Sequence, residues 1–106
     1  MELNEYQDKA KQTALFPEEY GIIYTTLGLV GESGEVAEKV KKYLRDKTSP
    51  ADLKADVAKE LGDVLWYLAM LAKECGYTLE DIAAINVEKL QSRQKRGKIG
   101  GSGDDR

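Results

Sequence analysis

Histidine is absent from the 106 residues, and the chain holds one cysteine (Cys75), two prolines, one tryptophan and one phenylalanine. Without imidazoles and with a single thiol, one chain cannot build a His/Cys zinc site or an internal disulfide framework. A reducing cytoplasm is the expected compartment. No apolar run approaches the roughly 18 residues of a membrane span, and the first residues lack the basic-then-apolar order of an export signal. Neither a membrane nor export is expected. The net charge of -3 gives no global reason to bind nucleic acid, although basic residues gather between Lys89 and Lys98.

What remains is 42% hydrophobic and 33% charged, which with so little proline predicts a soluble, largely helical chain. Its length suits one domain with a modest core, for which association with further copies would help. Apolar recurrence at three and four predicts a first helix from Leu3 to about Leu15, ended by Phe16-Pro17, with Gly21 a second break. Ile23, Leu27, Val30, Val36, Val40 and Leu44 mark the stripe of a second helix from about Ile22 to Arg45. Asp46 to Ser49 is a short connection. Ser49-Pro50 is a helix start, and a third helix runs to about Cys75 with Gly76 as terminator. Thr78 to Asp81 caps a fourth helix that reaches about Lys95. The short link predicts that the second and third helices pack antiparallel.

The second helix masses carboxylates in "GLVGESGEVAEK", residues 28–39. Glu32 and Glu35, three apart, project to nearly the same side, and Glu60 and Asp63 repeat the arrangement on the third helix. The hairpin lets the two pairs face each other. Four converging carboxylates repel and resist desolvation unless they are protonated or neutralised; a divalent cation resolves the conflict, and an all-oxygen donor set favours a hard ion, Mg²⁺ or Mn²⁺. Single pairs of this kind are common on solvated faces, so a solvated acidic face is the alternative. Gly28, Gly31 and Gly34 each weaken a helix interior by up to about 1 kcal/mol relative to Ala, which asks for close approach of another helix or a ligand.

Glu32-x-x-Glu35, some two dozen residues, and Glu60-Leu61-Gly62-Asp63 before the apolar Val64-Leu65-Trp66-Tyr67-Leu68 resemble the MazG-type all-α nucleotide pyrophosphohydrolase family. "LGLVGESGEVAEKVKK", "KELGDVLWYLAMLA", "NVEKLQSRQKRG" and the Gly-Ser-Gly tail are similar to its short single-domain members. The resemblance implies a four-helix MazG-like bundle over residues 1–98 with an antiparallel central hairpin and a flexible tail over 99–106. It implies hydrolysis of a nucleoside triphosphate to the monophosphate and pyrophosphate with Mg²⁺, Mn²⁺ being a substitute, and the apolar helix surface that one short four-helix chain leaves to cover predicts a homodimer or homotetramer. By position, Glu32, Glu35, Glu60 and Asp63 would be metal ligands, with Glu32 and Glu35 catalytic and Glu38 a candidate base or outer ligand. Many members carry Glu just before the first and third ligands, where this chain has Gly31 and Lys59.

Asn86 and Lys89 match the family's last-helix pattern and could contact sugar or phosphate. Arg93 and Arg96 could hold outer phosphates. Tyr67, or less readily Trp66, could stack on the base. Two rival readings are a non-catalytic helical module with an acidic face for a basic partner, and nucleic-acid binding through the basic segment 89–98.

Overall fold

The computed structural model describes residues 1–106 and is all-α. Four helices, α1 (Leu3–Lys11), α2 (Gly21–Asp46), α3 (Pro50–Glu74) and α4 (Leu79–Lys95), follow in chain order. The first is shorter than the sequence pattern predicts. The Thr13 hydroxyl donates to the Ala10 carbonyl, and the amides of Thr13 and Ala14 donate to carbonyls three residues back, so the helix tightens and stops four residues before Leu15. A 3-10 turn over Glu18–Tyr20, with no counterpart in the sequence pattern, then leads into α2. Gly21 opens that helix rather than lying before it, and a Cβ there would run into the carboxylate of Glu74. The N-terminal end of α2 thus faces a negative group, the sign its dipole favours.

The remaining ends follow from their residues. Ser49 accepts from the Asp52 amide at 3.1 Å with Pro50 in the first helical position, a cap worth about 1 kcal/mol. At the far end of α3, Gly76 adopts φ +83°, which lets the Tyr77 amide reach the Ala72 carbonyl and its own amide reach that of Lys73. Thr78 and Asp81 form a reciprocal capping box at the start of α4.

Helix α3 is the axis of the fold. α2 lies antiparallel along it, while α1 and α4 pack on α3 and on each other. α4 does not meet α2, so the expected bundle is open on one side in the single chain. Gln7 pins the α1, α3 and α4 cluster: its Nε2 donates to the carbonyls of Ala69 (2.9 Å) and Tyr77 (3.2 Å), and its Oε1 accepts from the Leu79 amide (3.1 Å). Around it sits a small core of Ala10, Ala69, Met70, Ala72 and Leu79, flanked by Tyr6, Ala14, Phe16, Trp66 and Ile82.

That core is thin. Only nine residues are buried, and the radius of gyration is 16.7 Å against about 13 Å for a closed domain of this length. The stripe that marks α2 in the sequence is mostly not inside the chain: Ile23, Leu27, Val30, Val40 and Leu44 are exposed, as is Leu61 on α3. α2 meets α3 through a different face, carrying Gly28, Glu32 and Lys39.

Candidate metal centre

Steps of 100° per residue put Thr25, Gly28, Glu32, Val36 and Lys39 on one side of α2. Gly28 is the close approach on that side: a Cβ there would lie inside the Tyr67 ring of α3. The missing side chain lets the two helices come near enough for their carboxylates to meet. Oxygens of Glu32 from α2 and of Glu60 and Asp63 from α3 all lie within 4.8 Å of one another. Glu32 and Glu60 are half-buried and Asp63 is exposed.

Ligand oxygens around one Mg²⁺ at about 2.1 Å stand roughly 3–4 Å apart, so small side-chain adjustments would close this set on a single hard cation. The donor chemistry fits, being all carboxylate. One cation of the chain is close, Lys39 Nζ at 4.0 Å from Glu60 Oε1. It does not neutralise three acids. The Glu32 carboxyl is pushed above its ordinary range, first by desolvation, then by the charges of Asp63, Glu60 and Glu35.

Three of the four acids expected to converge therefore do so. Glu35 lies on the exposed flank, within electrostatic reach of Glu32 and with no ion-pair partner of its own. Glu38 sits about 120° round the helix from Glu32. It is paired with Lys41 at 2.8 Å, which holds its carboxyl below the ordinary range.

An aromatic group borders the acids. Tyr24 stacks on Phe16 at 5.1 Å and faces Tyr67 at 6.3 Å, and Trp66 meets Tyr67 edge-on at 4.9 Å. Burial pushes the Tyr67 phenol up, with further upward pressure from the Tyr24 hydroxyl and from Glu32 and Asp63. The Trp66 indole is fixed by a 2.8 Å bond to Thr13 Oγ1. Phe16, Tyr24 and Tyr6, whose phenol is raised by burial and then by Asp63, complete the surroundings. In the sequence Phe16 reads only as part of a helix stop, and nothing local ties it to Tyr24.

Asn86, Lys89 and Arg93 of α4, and Arg96 just past its end, lie elsewhere. Asn86 borders an apolar cleft with Leu65, Leu68 and Ile82. Lys89 approaches Asp104 at 3.7 Å, Arg93 is buried against the carbonyls of Gly103 and Asp104, and Arg96 donates to the Arg106 carbonyl. No contact within the chain joins them to Glu32, Glu60 or Asp63. The largest cavity, about 400 Å³ and lined by Lys11, Ala14, Phe16, Glu18 and Glu74, also lacks the acids. They stand on an open face.

Residues 22–97 match the MazG nucleotide pyrophosphohydrolase domain, a span that holds all four acids and leaves out α1 and the last nine residues. The chain is 46% identical to the Gene 37 protein of Mycobacterium phage L5 over 114 aligned positions that cover all of both proteins. It is 37% identical over 82 positions to the uncharacterized protein YvdC of Bacillus subtilis strain 168, covering 71% of this chain and 77% of that one. No solved structure matches.

Proposed function

Because the chain belongs to the MazG nucleotide pyrophosphohydrolase family, we propose that it hydrolyses a ribo- or deoxynucleoside triphosphate to the monophosphate and pyrophosphate. The observation that carries this reading is the convergence of Glu32, Glu60 and Asp63 from two helices with one lysine among them. Such a set is stable at neutral pH when it holds Mg²⁺, or Mn²⁺ in its place. When bound, the cation offsets charge on phosphate oxygens and makes a water nucleophilic near neutral pH.

The chain's own contribution is position and field. Glu32, Glu60 and Asp63 would hold the cation, and Glu35 would be an outer ligand or the base that accepts a proton from the attacking water. Exposure and freedom from a lysine favour Glu35 over Glu38 for that proton. Tyr67, with Tyr24 beside it, offers an aromatic surface for the nucleoside.

The exposed side chains of Leu27, Val30, Leu44 and Leu61 favour a homodimer or homotetramer, since a second copy is the simplest cover for them. It would also bring residues from the last helix of a neighbour and its C-cap, Asn86, Lys89 and Arg96 among them, toward acids that one chain leaves open. This exposed face favours self-association over a basic partner as the occupant.

Pyrophosphate release from a panel of nucleoside triphosphates, with and without Mg²⁺, tests the reaction. Metal-dependent release that is lost in Glu35→Gln is expected. No release from any nucleotide by a folded chain would remove the hydrolase reading in favour of a non-catalytic module. Sedimentation tests the assembly: a multiple of the 11.8 kDa chain mass is expected, reduced by Leu27→Glu.

A further inference from the structure

The last residues are not a free end in this structure. Arg106 folds back into its own segment: Nε donates to the carbonyls of Lys98 (3.2 Å) and Gly100 (3.1 Å), Nη2 to Ile99 (2.9 Å) and Nη1 to Gly103 (2.7 Å). Gly101 and Gly103, at φ +99° and +87°, supply the left-handed turns that curl the chain round this guanidinium. The segment therefore holds its shape with its own atoms.

Shaped in this way, it is laid on the basic end of α4. Arg93 Nη2 donates to the carbonyls of Asp104 (2.6 Å) and Gly103 (3.4 Å), and Arg96 Nη2 donates to the Arg106 carbonyl (2.7 Å). The Asp104 carboxylate approaches both Lys89 (3.7 Å) and Arg93 (3.8 Å). Three cations at the end of α4, Arg96 being its C-cap, are thus met by backbone oxygens and one side-chain carboxylate, the same oxygen-rich, anionic chemistry that a chain of phosphates would offer. The grip is weak in one telling respect: the Asp104 side chain is 90% exposed, and an exposed pair with no closer contact is readily exchanged.

We infer that residues 99–106 are an internal competitor for the cationic end of α4, occupying Lys89, Arg93 and Arg96 in place of a polyphosphate and released when one binds. This rests on the proposed function only in taking a nucleotide's polyphosphate as the natural ligand. A polyphosphate brings several charges where the tail sets only the Asp104 carboxylate against these cations, and phosphate oxygens match a guanidinium fork better than backbone oxygens do. Because the cations are free only when the tail is off, apparent affinity is reduced by the fraction of time it is on.

The test uses full-length protein and inorganic tripolyphosphate, without nucleotide or turnover. Calorimetry should show Arg106→Ala, which removes the internal clasp, and Asp104→Asn, which removes the carboxylate, binding tripolyphosphate about threefold to tenfold more tightly than the parent chain. Lys89→Ala should weaken binding in every background. Relaxation of the ¹⁵N amides of residues 98–106 should show the parent tail losing order as the ligand is added. Equal or weaker binding by both tail variants, binding indifferent to Lys89→Ala, or a tail that gains order with ligand would each overturn the inference. Failure of the hydrolase reading would appear separately, as absence of pyrophosphate release, since none of these measurements depends on catalysis.

Discussion

Helix α2 has two faces that are equally rich in signal and opposite in fate. One carries Gly28, Glu32 and Lys39 and faces α3, where Gly28 meets Tyr67, Glu32 converges with Glu60 and Asp63, and Lys39 approaches Glu60. The other carries Ile23, Leu27, Val30, Gly31 and Gly34 and meets nothing in the chain: its apolar side chains are exposed, and a Cβ at either glycine would find no neighbour within 4 Å. A glycine in a helix interior therefore has different meanings on the two faces. At position 28 it lets an aromatic ring and a facing helix come close, and at 31 and 34 it faces open space beside an apolar stripe. The first face explains itself within one chain. The second is the surface that the proposed self-association would cover.

The sharpest way to separate the faces is to alter one without touching the other. Glu60→Gln keeps the shape of the inner face but removes one of three converging charges. Loss of an outer-shell partner at metal sites costs 10- to 100-fold, so loss of a ligand should lower metal-dependent turnover by at least about a hundredfold. Sedimentation of this variant should match the parent chain. If turnover in Mg²⁺ were to survive, the convergence of acids would be a solvated surface and the inner face would lose its chemical reading.

A smaller effect separates the glycines. Gly28→Ala forces the Tyr67 ring aside, which by analogy with overpacked cores should destabilise the chain by about 1–3 kcal/mol and disturb the neighbouring carboxylates. Gly31→Ala meets open space in the single chain and should stabilise the helix by up to about 1 kcal/mol. Urea titrations of both variants, at concentrations where the parent is and is not associated, give the answer. Stabilisation at low concentration that turns to destabilisation at high concentration would locate a second copy over Gly31. A Gly28→Ala chain as stable as the parent would mean that the ring moves freely and that the two helices do not depend on that contact.

Legibility in the sequence followed the range of the interactions. Helix ends written in adjacent residues, Ser49-Pro50, Gly76 and the Thr78–Asp81 box, were readable because a cap needs only its own few neighbours. The meeting of Glu32 with Glu60 and Asp63 was readable because helix periodicity sets the side of each helix and a short link turns the two sides toward each other, whereas the angle of about 60° between Glu32 and Glu35 is enough to leave Glu35 on the flank. What periodicity could not supply was depth. An apolar stripe has the same pattern whether it is covered by its own chain or by another, so the stripe that holds Leu27 and Val30 did not tell which, and both lie outside the core. The aromatic group depends on Phe16 meeting Tyr24 across a 3-10 turn, which no local pattern encodes. The engagement of Arg93 by Gly103 and Asp104 is equally invisible, because one arginine in a basic run looks like the next until the chain folds back.

The smallest predicted effect tests the inner face most directly, through its protons. Desolvation and three neighbouring acids raise the Glu32 carboxyl above its value in the unfolded chain, so the native state takes up this proton first as pH falls. The stability tied to that proton is fully present below the unfolded-state value and is lost as pH rises through the raised one. At neutral pH without metal, ionised Glu32 is therefore a liability, and Glu32→Gln should be the more stable chain by a few tenths of a kcal/mol, the usual scale of like-charge repulsion on helices. In a domain of this size that is a rise of roughly 1–3 °C in Tm. The gap should close as pH is lowered toward the ordinary carboxylate range, where both chains carry a neutral group at position 32. Saturating Mg²⁺ at neutral pH should reverse its sign, because the ion stabilises only the chain that binds it well, by roughly 2.7 kcal/mol at a hundredfold excess over its dissociation constant. A gap of the same sign and size with and without Mg²⁺ would mean that the acids repel one another for some purpose other than holding a cation.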